Sequence, residues 1–190
     1  DGRNFKHYKY NAADSTTISD QFVLSIIEDA KGFLWVGTRS GLNRFNKRTG
    51  KFERIYLNER ERNIMGSAYA HLTANTKKEI LVPRAAASSI INTNGELLRV
   101  DSTISNILLP EYDKQGRLWG FAKNSNLYNA VIKNAAVQLF KVSAPPAAAN
   151  FSKYKCIAGD DDIIWCYQPG ISNSNIYFFN AATKQWLPQP

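Results

Sequence analysis

A tryptophan in an apolar strand, preceded by a turn, recurs along the chain and constrains the fold more than any other feature. Trp35 lies in Gly-Phe-Leu-Trp-Val-Gly, Trp119 in Gly-Arg-Leu-Trp-Gly-Phe and Trp165 in Asp-Ile-Ile-Trp-Cys-Tyr. Leu81 stands at the same place in a more eroded copy, so the four positions recur about every 43 residues. A period of this length predicts a repeat architecture in which each unit is one supersecondary structure.

Each unit can be divided into four strands. In the first, residues 22–29, 33–38, 42–46 and 51–57 alternate apolar and polar side chains, and turns containing Asp, Gly, Ser and Thr separate them. Four antiparallel strands per period predict an all-β fold of about four four-stranded β-propeller blades. The approximate repeats are 18–57, 64–100, 104–142 and 151–188, with 1–17 as the end of a preceding blade.

Two residue types of the repeat have structural interpretations. Asp29 and Asp113 each lie three residues before a glycine, where an aspartate side chain can cap its own turn. The tryptophans are predicted to pack between neighbouring sheets rather than to form a ligand platform, since Leu81 replaces one of them.

Composition and charge exclude several classes of protein. The chain of 190 residues is 44% hydrophobic and 21% charged, as is typical of a globular domain. No apolar run approaches the ~20 residues of a membrane span. The net charge of +8 is spread evenly, with half of the surplus in residues 1–62, so we expect no dedicated nucleic-acid surface.

Catalytic and metal-binding signatures are scarce. His7 and His71 are the only histidines, and neither has a companion ligand at a spacing typical of metal sites. The sequence contains no nucleophile elbow and no phosphate-binding loop. We therefore expect neither a metal nor a cofactor, and we do not expect this chain to be an enzyme.

The first unit resembles the regulator-propeller repeat of two-component systems. The residues that carry the resemblance are Glu28-Asp29, Gly32, Leu34-Trp35-Val36-Gly37-Thr38, Gly41-Leu42, Arg44-Phe45, Thr49-Gly50 and Phe52. Upstream, Asp1-Gly2, Phe5-Lys6-His7-Tyr8 and Ile18-Ser19-Asp20 resemble the end of a preceding repeat. The match is fullest over residues 1–56 and weakest in the second and fourth units.

The resemblance implies a role in sensing. Such repeats build the extracytoplasmic sensor region of hybrid histidine kinases that detect oligosaccharides, so it implies a periplasmic fragment of a membrane-anchored parent. Propellers of this family usually have more than four blades, so we expect the remaining blades of the parent, or a second copy in a homodimer, as partners. The chain begins at Asp1 without an initiator Met, which also favours a mature or excised fragment.

Ligand-binding residues are predicted at the loops between the second and third strands, near the central channel of a propeller. Arg39, Arg84 and Lys123 occupy nearly equivalent places in three of these loops. If the loops converge, the three cations form a basic rim suited to carboxylated or sulfated sugars. The alternative is three unrelated solvated charges.

The two cysteines offer a second candidate feature. Cys156 and Cys166 align with Ile26 and Val36, which flank the first hairpin of a blade as cross-strand neighbours. In an oxidising periplasm they could form a disulfide. The alternative is a pair of buried thiols that act as small apolar side chains.

Two other functions compete with sensing. The blades could be a scaffold that only pairs with other blades or another subunit. A carbohydrate-active propeller enzyme would instead need two carboxylates that converge in a cleft, whereas Asp and Glu lie mostly in hairpin turns here.

Overall fold

The first two strands of each unit form a hairpin in the computed structural model, and two further strands complete a sheet. The structure describes residues 5–57, 71–83, 87–122, 126–133, 136–142, 154–159, 161–168 and 176–188. Within these ranges sixteen strands form four antiparallel sheets of four strands, each in sequential order. The prediction of an all-β fold with four four-stranded blades is confirmed. The predicted repeat limits stay a prediction.

We call the sheets blades 1 to 4 in chain order. Blade 1 comprises β1 (Val23–Glu28), β2 (Leu34–Thr38), β3 (Gly41–Asn46) and β4 (Lys51–Ile55). Blade 2 comprises β5 (Thr73–Ala74), β6 (Ile80–Val82), β7 (Ser88–Ile91) and β8 (Leu97–Asp101). After a short 3-10 helix (Ile104–Asn106), blade 3 comprises β9 (Ile107–Tyr112), β10 (Leu118–Ala122), β11 (Leu127–Lys133) and β12 (Ala136–Lys141). Blade 4 comprises β13 (Lys155–Ala158), β14 (Ile163–Tyr167), β15 (Tyr177–Asn180) and β16 (Gln185–Leu187).

The first hairpin turn of blades 1 to 3 is capped by its own first residue. One side-chain oxygen of Asp29, Asn75 or Asp113 accepts hydrogen bonds from the backbone N–H groups two and four residues later, at 2.8 to 3.0 Å. The turn therefore satisfies its own backbone donors without help from the rest of the fold. The predicted turn-capping role of the two aspartates is confirmed.

The second carboxylate oxygen of each aspartate joins the turn to the strand that follows. Trp35 Nε1 donates to Asp29 Oδ2 at 2.8 Å, and Trp119 Nε1 donates to Asp113 Oδ2 at the same distance. Both indoles are buried, 0% and 3% exposed. The bond gives each buried ring nitrogen a partner, which a side chain in this environment requires.

The same face of blades 1, 2 and 3 packs against the blade that follows. Trp35 lies in a cluster with residues of blade 2, Leu81 in one with residues of blade 3, and Trp119 in one with residues of blade 4. Burying one of the tryptophan side chains removes roughly 200 Å² of surface from water, which stabilises the folded chain by about 5 kcal/mol at ~25 cal/mol per Å². The predicted packing role of Trp35 and Trp119, and the place of Leu81 in their series, are confirmed.

The opposite face of blade 1 is covered by the segment that precedes it. The Tyr8 ring lies 5.0 Å from the Phe45 ring and 5.4 Å from the Phe52 ring. The backbone N–H of Phe52 donates to the Thr16 carbonyl oxygen at 2.9 Å. Residues 5–20 therefore occupy one side of blade 1, and blade 2 occupies the other.

Candidate functional site

Arg39 lies at the end of the blades where the second strand turns into the third. Its side chain is 68% exposed, and its Nε atom is 3.9 Å from Asp20 Oδ2. The guanidinium also lies over the Phe22 ring, 5.1 Å from its centre. The Ser40 hydroxyl donates to Asp20 at 2.6 Å, and this bond, with one from the Phe22 backbone, lowers the pKa of Asp20. Arg39 is thus oriented by a neighbouring carboxylate and still open to solvent.

The other two members of the predicted rim, Arg84 and Lys123, lie outside the described residues. The strands beside them are described: β6 ends at Val82 and β10 ends at Ala122, each followed by the third strand of its blade. β6 and β10 therefore end at the same end of their sheets as β2, which precedes Arg39. A basic rim formed by the three residues stays a prediction.

Cys156 and Cys166 face each other across the first hairpin of blade 4. They are directly paired in register, and both are buried with their sulfur atoms 4.0 Å apart. Gly159 N–H donates to the Ile163 carbonyl, so alternation along the ladder makes the cysteines a non-hydrogen-bonded pair. Such pairs have Cα separations near 4.5 Å, within the range of a disulfide. The contact with Cys166 and burial raise the pKa of the Cys156 thiol.

The two histidines lie in different environments. His7 is exposed. His71 Nε2 lies 2.9 Å from the Pro110 carbonyl oxygen and 3.4 Å from Glu111 Oε2, so it joins the segment before β5 to blade 3. Among the described residues, no group of three or more His, Cys, Asp or Glu side chains is placed to hold a metal ion.

A cleft of about 490 Å³ lies between blades 2 and 3, at the end of the sheets that carries the capped turns. We call it the interblade cleft. Its polar lining includes Lys77, Glu79, Arg99 and Arg117, and its apolar lining includes Ile90. Ile90 is the cross-strand partner of Leu81.

The opening of this cleft has a physical reason in the repeat. In blades 1 and 3 an indole reaches from the second strand back to the capped turn. In blade 2 the smaller Leu81 cannot span that distance, and the capping residue Asn75 instead donates to Glu79 Oε2 at 2.7 Å. The space between the turn and the strand therefore stays open.

Two buried polar atoms of blades 2 and 3 have no hydrogen-bond partner within the described part of the chain; the residue of the first lines the cleft, and the residue of the second does not. They are Arg99 Nε and the Tyr112 hydroxyl, and Tyr112 is 7% exposed. Burial raises the pKa of Tyr112, and the charge of Glu79 raises it further, while Arg99 acts in the opposite direction. The hydroxyl therefore lies within electrostatic range of two charged groups of the cleft.

The far face of blade 4 is apolar and exposed. Ile157, Trp165, Phe178 and Leu187 are cross-strand neighbours in one row across all four strands. Ile157, Trp165 and Leu187 are 50%, 44% and 38% exposed, and the Trp165 and Phe178 rings are in contact at 5.0 Å. Trp165 corresponds to Trp35 and Trp119, which are buried by a following blade. We call this row the terminal face.

Neither the interblade cleft nor the terminal face was predicted from the sequence. The signal for the first was the replacement of tryptophan by Leu81 in an otherwise regular series, a position for which only a packing role was predicted. The signal for the second was the run of apolar residues at alternate positions around Trp165. Both features depend on which face of a sheet is covered, and a single repeat does not contain that information.

Comparison with known proteins places the chain among propellers. Residues 17–40 match the sequence profile of the family described as two component regulator propeller, which confirms the resemblance seen in the first unit. A search of curated protein sequences finds no match.

Solved structures with similar folds include two from B. thetaiotaomicron. One is the extracellular domain described as that of a hybrid two component system, at 14% identity and a TM-score of 0.65. The other is the extracellular domain described as that of a one component system, at 12% identity and a TM-score of 0.62. The alignments cover 97% and 94% of this chain but 24% and 30% of those chains.

A streptogramin B lyase is also similar, at 16% identity and a TM-score of 0.57, over 86% of this chain and 56% of the lyase. At these identities the similarities show the fold alone. The part of the chain that the structure describes holds no helix with the length and hydropathy of a membrane span.

Proposed function

We propose that this chain is part of the extracytoplasmic sensor region of a hybrid two-component histidine kinase, and that it contributes to the recognition of oligosaccharides in the periplasm. The observation that carries the proposal is the regulator-propeller repeat at residues 17–40, set in an arc of four blades that matches a quarter of the extracellular domain of a hybrid two component system. In this function the chain binds the oligosaccharide and transmits the signal, and the kinase activity belongs to another part of the parent protein.

The basic rim is the proposed contact with ligand. Arg39 is exposed and lies beside Asp20, and the strands that precede Arg84 and Lys123 in the sequence end at the same end of blades 2 and 3. A planar guanidinium oriented by a carboxylate can still offer its free N–H groups to a ligand carboxylate or sulfate. This geometry favours an acidic oligosaccharide.

Titration calorimetry with carboxylated and sulfated oligosaccharides tests this proposal. The Arg39→Ala/Arg84→Ala double variant should lose at least tenfold in affinity, because two charge-assisted hydrogen bonds are removed. Arg48→Ala is the matched control, since Arg48 is an exposed arginine in the turn at the other end of blade 1. Equal affinity of the double variant and the control would exclude the rim as the ligand contact.

The terminal face favours a second function, that of a scaffold. Positions 35, 81 and 119 are covered by a following blade, so by the same logic Trp165 is the contact for a fifth blade of the parent or for a second copy of this chain. Sedimentation equilibrium should show self-association that Trp165→Gln reduces without changing the far-UV circular dichroism. A monomeric chain that binds a glycan would contradict the scaffold function.

A glycoside-hydrolysing function is not favoured by the arrangement of carboxylates. Asp29 and Asp113 are buried, and each is fully occupied with its own turn and a tryptophan. Hydrolysis of this kind requires two carboxyl groups facing each other across a substrate.

A further inference from the structure

We propose that the chain has a hinge between blades 2 and 3, about which blades 1 and 2 move as one body relative to blades 3 and 4. The joint lies at the innermost strands, β5 and β9, and the movement narrows and widens the interblade cleft. This inference concerns a conformational property of the chain and does not depend on which ligand the chain binds.

Blades 1 and 2 are tied together away from their innermost strands. Arg44 on β3 lies over the Trp35 ring and donates through Nη1 to the Thr93 carbonyl oxygen, beside the β7–β8 turn, at 2.7 Å. Lys31, in the first turn of blade 1, donates to Asn94 Oδ1 in the same β7–β8 turn at 2.9 Å. With the buried indole, these two bonds fix the outer strands of blade 2 against blade 1.

Blades 3 and 4 are tied by an equivalent device. The Arg117 guanidinium lies over the Trp119 ring, 5.5 Å from its centre. It donates to Asp113 in its own turn at 2.5 Å and to Asp162 in the first turn of blade 4 at 2.7 Å. Trp119 itself contacts the Phe179 ring of blade 4 at 5.6 Å. A guanidinium that bonds to carboxylates of two blades resists their separation.

The polar contacts between blades 2 and 3 lie at the innermost strands. Thr73 on β5 donates to Glu111 Oε1 at 3.0 Å, and its hydroxyl accepts from the Tyr112 backbone N–H at 3.4 Å. His71, two residues before Thr73, lies 2.9 Å from the Pro110 carbonyl oxygen through Nε2. These contacts form one row along the inner edge of the two sheets.

The charged residues around the interblade cleft bond on their own side of it. Glu79 accepts from Asn75, and Arg99 donates to Asp101, all within blade 2. Arg117, on the other side, is engaged within blade 3 and with blade 4. The cleft of about 490 Å³ therefore separates the two blades where a tryptophan and an arginine join the other pairs. Contacts along one edge and a gap along the other are the geometry of a hinge.

The polar atoms buried at this interface indicate that a second arrangement of the blades exists. The Tyr112 hydroxyl and Arg99 Nε have no hydrogen-bond partner among the described residues, and native proteins contain few such groups. Burial and then the charge of Glu79 raise the pKa of Tyr112, so the Glu79 carboxylate lies within electrostatic range of the hydroxyl. A displacement of blade 2 on blade 3 that brings the two groups into contact would pair the hydroxyl and gives the hinge its second position.

Spin labels at matched positions of the repeat measure the movement. Leu97→Cys/Gln115→Cys places labels across blades 2 and 3, and Lys51→Cys/Lys77→Cys places them across blades 1 and 2. Each pair joins the first residue of a fourth strand to the residue two positions after the capping residue of the next blade, and all four sites are exposed. The native cysteines are buried, and the chain without introduced cysteines measures any labelling of them.

Double electron–electron resonance should give one narrow distance distribution for the 51/77 pair and a distribution at least twice as wide, or with two maxima, for the 97/115 pair. Equal widths for the two pairs would overturn the hinge. A third pair, Lys77→Cys/Leu97→Cys, lies within blade 2 and should be as narrow as the 51/77 pair. A wide distribution for this third pair would place the motion inside blade 2 and would also overturn the hinge.

Two exchanges between the interfaces test the cause. Asn75→Asp/Leu81→Trp gives blade 2 the aspartate and the indole of blades 1 and 3, and should narrow the 97/115 distribution to the width of the 51/77 pair. The reverse exchange, Trp35→Leu/Arg44→Ala, should widen the 51/77 distribution at least twofold while the far-UV circular dichroism is unchanged. A 51/77 distribution that stays narrow in this second variant would contradict the role of the tryptophan and arginine ties, even if the first variant does not fold.

These outcomes are independent of the proposed function, because the labelled chain is measured without a ligand. Equal distance distributions would remove the hinge and leave oligosaccharide recognition at the basic rim standing. Loss of the rim, shown by calorimetry, would leave the hinge standing.

Discussion

Replacement of Asp29 by Asn should destabilise the chain through a single hydrogen bond to Trp35. The variant keeps the side-chain oxygen that caps the turn, where Lys31 and Phe33 donate at 2.8 and 3.0 Å. It replaces the other oxygen, which accepts the indole N–H at 2.8 Å, by an amide nitrogen that can only donate. Two donors then face each other at a side chain that is 0% exposed.

The magnitude follows from the kind of bond. A hydrogen bond to a charged group contributes about 1.5–3 kcal/mol, and loss of the acceptor also leaves the buried indole N–H unpaired. We therefore expect Asp29→Asn to lower the free energy of unfolding by about 2 kcal/mol. In a Trp35→Phe background, which has no indole N–H, the same replacement should cost little, so the coupling energy should also be about 2 kcal/mol.

Urea unfolding followed by far-UV circular dichroism measures the stabilities of the four proteins of this double-mutant cycle: the unchanged chain, Asp29→Asn, Trp35→Phe and the double variant. Asp161→Asn is the control, because the side chain of Asp161 is exposed and blade 4 has Gly159 where the indole acceptor would stand. The control should change stability by less than about 0.5 kcal/mol. A coupling energy below about 0.5 kcal/mol between Asp29 and Trp35 would refute the reasoning that the bond stabilises the turn.

Three further predictions concern backbone strain, thiols and acid stability. Lys78 has φ +67° at the place where Gly32 and Gly116 stand in the turns of blades 1 and 3, and this conformation is strained for a residue with a Cβ atom. Lys78→Gly should therefore raise the free energy of unfolding in urea by about 1 kcal/mol. Lys77→Gly, the control, should not raise it. After the chain refolds in a glutathione redox buffer, a thiol titration in denaturant should detect neither Cys156 nor Cys166, because the two form a disulfide. The reduced folded chain should oxidise slowly, because its thiols are buried. Two reactive thiols after refolding would exclude the disulfide. The fold lowers the pKa of Asp20 from 3.8, so the contribution of this carboxylate to the free energy of unfolding is present above about pH 4 and is lost as the pH falls below that value. Asp20→Asn should therefore reduce the fall of Tm between neutral and acid pH. An unchanged fall of Tm would contradict this assignment.

Local signals in the sequence were sufficient for the blades themselves. In blades 1 to 3 an Asx residue followed three positions later by a residue of positive φ closes the first hairpin turn by bonds within five residues, so these turns can be predicted without knowledge of their neighbours. Alternation around Trp35 and Trp119 similarly identifies strands, because the side-chain period of a strand is a local property. The predicted cross-strand position of Cys156 opposite Cys166 is confirmed for the same reason, and the disulfide between them stays a prediction.

The contacts of each face of a blade depend on the tertiary structure. Trp119 and Trp165 have the same place in the repeat, yet one is 3% exposed and the other 44%, because burial depends on whether another sheet follows. The interblade cleft likewise exists because Leu81 leaves a gap that matters only where blade 3 packs against blade 2. The repeating unit could be predicted from the sequence because turn capping and alternation act within a few residues. The candidate sites could not, because the packing of one blade on another decides which faces of the sheets are covered.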